Sequence, residues 1–199
     1  MTEHDAFCEV VRRLESNDFD YMLTGSWAMN YWAEPRASND IDLVVALMPS
    51  DADRFTAAFA EDFYVDLDTV RDEVGRRGMF NVIYQPLVFK FDIIVQGGDL
   101  YSRAAFGRRV RFKGAADCDT GFWVSTPEDV ILSKLDWYRA GGEEDSQQFD
   151  DVVNVLVSCE DLDAAYLREW ADALDLQHLF GAAAKMADSE RRKLHENDA

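Results

Sequence analysis

The sequence predicts an α+β fold. Residues 1–124 read as a small mixed sheet flanked by helices, residues 125–190 as a C-terminal helical subdomain, and residues 191–199 as a frayed tail. Three observations carry this reading. β-rich apolar runs bounded by turn residues fall in the first half, and the second half shows only helical spacing. The 199 residues are 48% hydrophobic with 13 Phe and 5 Trp, enough apolar material for a sizeable core. There is no internal repeat and no low-complexity segment.

Residues 5–16 place Phe7, Val10, Val11 and Leu14 at helical spacing. Tyr21-Met22-Leu23-Thr24 is a short strand stopped by Gly25-Ser26, and Trp27 to Trp32 reads as a helix ending before Pro35. A strand over 41–47 follows directly on Asn39-Asp40. Pro49-Ser50-Asp51 opens a helix to about residue 61, with Ser50 as its cap. Residues 67–77 form a short polar helix or loop. Two strands, 79–84 and 87–95, are joined by a hairpin at Gln85-Pro86. Residues 101–124 read as a linking stretch. Thr126 caps a helix whose first turn holds Pro127, and that helix runs to about Arg139 before Gly141-Gly142. Three more helices fill 146–158, 163–174 and 176–188, with Trp137, Tyr138 and Trp170 read as core or helix-interface aromatics.

The formal net charge is −19, from 39 acids against 20 bases, and the pI is near 4.3. A broad basic face for nucleic acid is therefore excluded. The stretch carrying Arg103, Arg108, Arg109, Arg111 and Lys113 is a local exception, which keeps RNA among the acceptor classes. Cys8, Cys118 and Cys159 lack paired spacing, so neither a disulfide framework nor a zinc site is expected. No apolar run approaches the roughly 18 residues of a membrane span, and the acidic N-terminus does not resemble a signal peptide. The expectation is a soluble, cytoplasmic protein with no membrane partner.

The chemistry concentrates in Leu23-Thr24-Gly25-Ser26, thirteen further residues, and then Asp40-Ile41-Asp42. Residues two apart on a strand share a face, so Asp40 and Asp42 project together. Two carboxylates about 4 Å apart repel by roughly 4 kcal/mol at an effective dielectric of 20, which calls for a counter-cation. Oxygen-only ligands favour Mg²⁺ or Mn²⁺. Asp92 interrupts the apolar run Val88-Phe89-Lys90-Phe91-Asp92-Ile93-Ile94-Val95, a costly position unless it faces the same site. Three converging carboxylates suit metal-assisted phosphoryl transfer. Gly25, with no Cβ, lets backbone approach a phosphate, and the N–H groups at Ser26 favour anions.

That order of parts resembles the nucleotidyltransferase superfamily of the DNA polymerase beta type, in which a strand and a Gly-Ser turn precede an Asp-x-Asp strand and a later third Asp. More narrowly, Glu34-Pro35-Arg36-Ala37-Ser38-Asn39-Asp40-Ile41-Asp42, the stretch from Thr126 to Tyr138, Gln147-Gln148-Phe149-Asp150-Asp151-Val152 and Tyr166-Leu167-Arg168-Glu169-Trp170 look like small AbiEii toxin-like proteins. The resemblance implies a nucleotidyltransferase-type sheet and transfer of a nucleoside monophosphate from an NTP to an acceptor hydroxyl. It implies Asp40 and Asp42 as metal ligands, Asp92 as a third ligand or the base, and Gly25 and Ser26 as phosphate holders. Lys134 would neutralise triphosphate charge, the alternative being a surface lysine. Arg36 would reach the triphosphate or acceptor, the alternative being an interhelical ion pair. The Lys-Asp element common in the toxins is absent here, and only Asp151 fits. The implied partners are an NTP, an RNA, protein or small-molecule acceptor, and a cognate antitoxin. The rival reading is a catalytically silent nucleotide-binding or protein-interaction module.

Overall fold

The computed structural model describes residues 2–113, 118 and 121–197. Helix α1 (Glu3–Ser16) leads into β1 (Tyr21–Thr24), the short α2 (Gly25–Met29) and β2 (Asp40–Val45). Helix α3 (Ala52–Ala58), β3 (Phe63–Tyr64), α4 (Leu67–Arg76), β4 (Met79–Tyr84) and β5 (Phe89–Val95) follow. Then come α5 (Leu100–Arg108), β6 (Val110–Phe112) and β7 (Phe122–Val124), and after them α6 (Pro127–Ala140), α7 (Ser146–Ser158), α8 (Ala164–Ala173) and α9 (Gln177–Asn197).

The fold is α+β, with a mixed sheet among the described residues in the order β3-β4-β5-β2-β1-β7-β6. β1 with β7 and β2 with β5 are parallel, and the remaining neighbours are antiparallel. By compactness the chain divides into two units. One comprises Met1–Trp27 and Ala37–Ser125, the other Ala28–Arg36 and Thr126–Ala199. The segment before the Asp-x-Asp strand therefore belongs with the helices, a long-range association that composition does not reveal.

In the sheet unit, alternation decides the faces. Ile41, Leu43, Val45, Phe91, Ile93, Phe80 and Val82 are buried on one face, leaving Asp40, Asp42, Lys90, Asp92 and Asn81 on the other. The abundant Phe residues pack edge to face on the apolar side: Phe55 lies 5.4 Å from Phe80, and Phe59 lies 5.4 Å from Phe63, centroid to centroid. Helix α1 adds Phe7, Val10, Val11 and Leu14, as its spacing predicts, and begins with a capping box between Thr2 and Asp5.

The stretch over 101–124 is not a linker. It holds α5, capped by Asp99, and β6 and β7, which extend the sheet beside β1. Three-residue strands are too short to show alternation, and α5 has little amphipathic pattern, so neither signal rises from the sequence. The stretch from Trp27 to Trp32 is helical only to Met29. Cys8 and Cys118 form a disulfide, against expectation; their separation of 110 residues hid the pairing, which depends on where α1 lies against the sheet.

In the helical unit, Val130, Ile131, Leu132 and Leu135 of α6, Val152, Val155 and Leu156 of α7, and Ala183 and Ala187 of α9 are buried. Thr126 caps α6 by accepting from the Asp129 N–H, with Pro127 in the first turn. Trp137, expected inside, is 59% exposed, while Tyr138 packs on Phe149. Residues read as a frayed tail continue as helix to Asn197. Arg191 explains the extension, because its guanidinium donates to the carbonyls of Leu156, Val157 and Cys159 at the end of α7. Among the described residues no helix is long and apolar enough to cross a membrane.

Candidate active site

Strand register assembles the polar face of the sheet. Thr24 of β1 pairs with Asp42 of β2, Asp42 with Asp92 of β5, and Asp92 with Asn81 of β4. One row across four strands thus reads Thr24, Asp42, Asp92, Asn81. The next row places Asp40 beside Lys90. Because β2 and β5 are parallel neighbours in this register, the three carboxylates picked out from the sequence share one face. Asp92 is 6% exposed, whereas Asp40 and Asp42 are half-buried.

Each acid has a distinct environment. Asp40 Oδ1 accepts from the Ser38 hydroxyl at 3.0 Å. Asp92 accepts from the Asn81 amide through Oδ1 and from Lys90 Nζ through Oδ2, the latter at 2.7 Å. Lys90 Nζ is also 3.4 Å from Asp40 Oδ2. The hydrogen bond from Lys90 to Asp92 raises the Lys90 pKa from its ordinary value and outweighs the opposing effect of burial. Lys90 and Asn81 were missed in the sequence. The available signal was the period of two in Lys90-Phe91-Asp92, which puts both polar residues of an apolar strand on one face.

Gly25 ends β1 with φ +64, the left-handed region that favours glycine. A Cβ there would stand 2.0 Å from Asp42 Oδ2 and 2.8 Å from its Cγ. The turn and Asp42 of the acid pair, far apart in sequence, are in direct van der Waals contact. Gly25→Ala is therefore expected to displace the Asp42 carboxylate. The variant should lower both the thermal midpoint and nucleotide affinity, with a backbone cost of about 1–2 kcal/mol before the clash is counted. Differential scanning calorimetry and a nucleotide titration on the same sample measure the two effects. Ser26, next along, is 8% exposed.

Arg36 and Lys134 belong to the helical unit. Arg36 donates from Nε and Nη2 to the two oxygens of Asp151 at 2.7 and 2.6 Å, a bidentate pair. Lys134, only 3% exposed, donates to Asp151 Oδ2 at 2.7 Å and to Gln148 Oε1 at 3.0 Å. Lys134 is thus buried and not the surface lysine considered from sequence, and Arg36 makes an ion pair from the non-helical segment before β2 to α7, not between two helices. Burial acts to raise the Asp151 pKa, but the hydrogen bonds from Arg36 and Lys134 prevail and hold it below its ordinary value.

The arginines of the basic stretch have protein partners. Arg109 pairs with Asp20 at 2.8 Å and lies over Phe106 and Trp123, and Arg111 pairs with Glu15 at 2.8 Å. A cavity of about 520 Å³ lined by Thr2, Glu3, His4, Trp27, Leu87 and Phe89 opens on the opposite side of the sheet from the acids, since Phe89 alternates with Lys90.

Hard divalent cations take oxygen ligands, and three carboxylates on one face supply them. The cluster already draws an ammonium of its own chain between two of its acids, as expected of a site with excess negative charge. The residues present therefore fit Mg²⁺ or Mn²⁺.

No protein-family model matches the chain, and no curated protein matches it. Solved structures do. The solution structure of the antibiotic-resistance factor ANT(2'')-Ia superposes with a TM-score of 0.55 at 11% identity, covering 98% of this chain and 97% of that one. The fold is of the nucleotidyltransferase type. An antigenic nucleotidyltransferase-like protein from Paracoccidioides brasiliensis matches with a TM-score of 0.53 at 13% identity, over 92% and 91% of the two chains. A crystal structure of ANT(2'')-Ia in complex with adenylyl-2''-tobramycin matches at 0.52 and 12%, over 89% and 99%. At these identities the nucleotidyltransferase fold is what is shared.

Proposed function

We propose that this chain is a nucleotidyltransferase dependent on Mg²⁺ or Mn²⁺ that transfers a nucleoside monophosphate from an NTP to an acceptor hydroxyl. The observation that carries the proposal is the register pair Asp42–Asp92 set against the Gly25 turn, with Asp40 on the same face. Such metals neutralise charge on the phosphates and align the attacking and leaving oxygens. The chain's own contribution is positional. Asp40, Asp42 and Asp92 present the ligand oxygens, Asn81 and Lys90 fix the Asp92 carboxylate, and the turn at Gly25-Ser26 offers backbone to the phosphates. Asp92 would be a third ligand or the base for the attacking hydroxyl, its carboxylate oriented by Asn81 and Lys90.

The acceptor is read from chemistry outside the acid cluster. With Arg109 and Arg111 engaged by Asp20 and Glu15, those two cations of the basic stretch are less available to a polyanion, so a small-molecule or protein hydroxyl stands ahead of RNA. The product bound to one fold neighbour, adenylyl-2''-tobramycin, is a nucleotidylated small molecule. The AbiEii-like motifs add a role in a toxin–antitoxin pair, with the antitoxin as partner. Lys134 as a nucleotide contact stands on that resemblance alone, and Arg36 on its place shortly before the acid pair.

The test is incubation with each α-labelled NTP, Mg²⁺, and in turn RNA, cell protein and aminoglycosides, beside Asp42→Asn as control. Label on one acceptor class, lost in the control, is the expected result. Nucleotide binding without label on any acceptor would favour the silent-module reading instead.

A further inference from the structure

The strand that supplies Asp92 also supplies a cation to the acid cluster. Lys90 precedes Asp92 by two residues and pairs in register with Asp40, so its side chain must share the acidic face. Its ammonium reaches both flanking acids, at 2.7 Å from Asp92 and 3.4 Å from Asp40. The Lys90 side chain is 42% exposed, whereas that of Asp92 is 9% exposed. The amine can therefore leave toward solvent along a flexible four-carbon stem, while the carboxylate stays in place.

We propose that Lys90 is a resident counter-cation that competes with the divalent metal for Asp40 and Asp92, so that tight metal binding requires the nucleotide. This rests on the metal-dependent reading above. An ammonium and a divalent cation seek the same carboxylate oxygens, and at Asp92 the Lys90 ammonium already sits on Oδ2 while Asn81 donates to Oδ1. A metal ion entering alone must displace the ammonium into water and remain close to its positive charge. A metal ion entering with a triphosphate brings the anion that Lys90 can pair with once displaced. The exchange then swaps one ion pair for another, and the metal site is completed only when substrate is present.

Direct Mn²⁺ binding, followed by the electron paramagnetic resonance signal of free Mn²⁺, tests this on the full chain stripped with chelator. Lys90→Met keeps most of the side-chain volume and removes the charge. It is expected to bind Mn²⁺ about ten- to a hundredfold more tightly than the natural chain without nucleotide. Lys90→Arg keeps the charge and should stay weak. With a non-hydrolysable NTP analogue, the gap between Lys90→Met and the natural chain should narrow. A merely structural role for Lys90 would not tighten metal binding on its removal. Equal or weaker nucleotide-free binding by Lys90→Met, with folding verified by circular dichroism, overturns the proposal and leaves the metal reading standing. No Mn²⁺ binding by either chain, with or without the analogue, overturns both.

Discussion

Asp42→Asn is expected to lower nucleotidyl transfer by about a thousandfold or more while leaving the fold intact. Asp42 occupies the centre of the acid row, paired in register with Asp92 on one side and Thr24 on the other, and in contact with the Gly25 turn. The amide is nearly isosteric with the carboxylate, so packing against Gly25 is preserved. What is lost is one formal negative charge and one anionic ligand oxygen. Relief of like-charge repulsion among Asp40, Asp42 and Asp92 should leave the thermal midpoint in chelator unchanged or slightly raised. That opposition of signs is the diagnostic. A fall in activity accompanied by a lower midpoint would point to disrupted packing. Activity retained within threefold of the natural chain would remove Asp42 from the metal site. Transfer of labelled nucleotide and a melting curve in chelator measure the pair.

The acid cluster was legible because its signal is local. Asp40-Ile41-Asp42 fixes a shared face through the two-residue strand period, and an Asp inside the apolar run around Phe91 has few inexpensive explanations. Lys90 lies in the same window, but a lysine on a strand is ordinary at an edge and by itself signals nothing. Only the register Asp40–Lys90 brings it to the acids. The remaining misses share a long-range cause. Strands β6 and β7 carry three residues each and are held by pairing with β1, not by their own pattern. Cys8 and Cys118, and Arg36 and Asp151, meet only after the chain has folded, at separations of 110 and 115 residues. Arg191 lengthens α9 by reaching carbonyls at the end of another helix, which no propensity within residues 191–199 encodes.

The acidity acquires a structural meaning from these pairings. Asp20 and Glu15 hold arginines of the basic stretch, Glu9 is lowered to a pKa of about 2 chiefly by its hydrogen bond from Arg12, and Asp151 holds two cations at once. With 20 bases among 39 acids, cations are the scarce partner. The structure spends two of them on a single buried carboxylate, so the stability of the helical unit should be sensitive at that point.

Asp151→Ala is accordingly expected to destabilise the chain by about 3–5 kcal/mol, the cost of leaving a buried charge without its partner. In a chain of this size that corresponds to a fall of roughly 10 °C in thermal midpoint. Lys134 bears most of the loss, because it is 3% exposed and would lose the carboxylate 2.7 Å from its ammonium, whereas the Arg36 side chain at 25% exposure can turn to water. The pH dependence has a definite sign. The folded-state pKa of Asp151 lies below its ordinary value, so the native state holds the carboxylate charged more strongly than the unfolded chain does. The contribution is complete above the ordinary carboxylate pKa of 3.8 and is lost as pH falls through the folded value. Urea unfolding at neutral pH should therefore separate Asp151→Asn from the natural chain, and the two should converge as pH drops below about 4. A difference under 1 kcal/mol at neutral pH would mean that the triad does not hold the unit together. Asp151→Leu combined with Lys134→Met removes the buried pair outright and should recover most of the stability lost by Asp151→Ala. Its activity then separates two roles. A stable double variant that still transfers nucleotide makes Lys134 structural, and a stable but inactive one assigns the buried cation to the substrate.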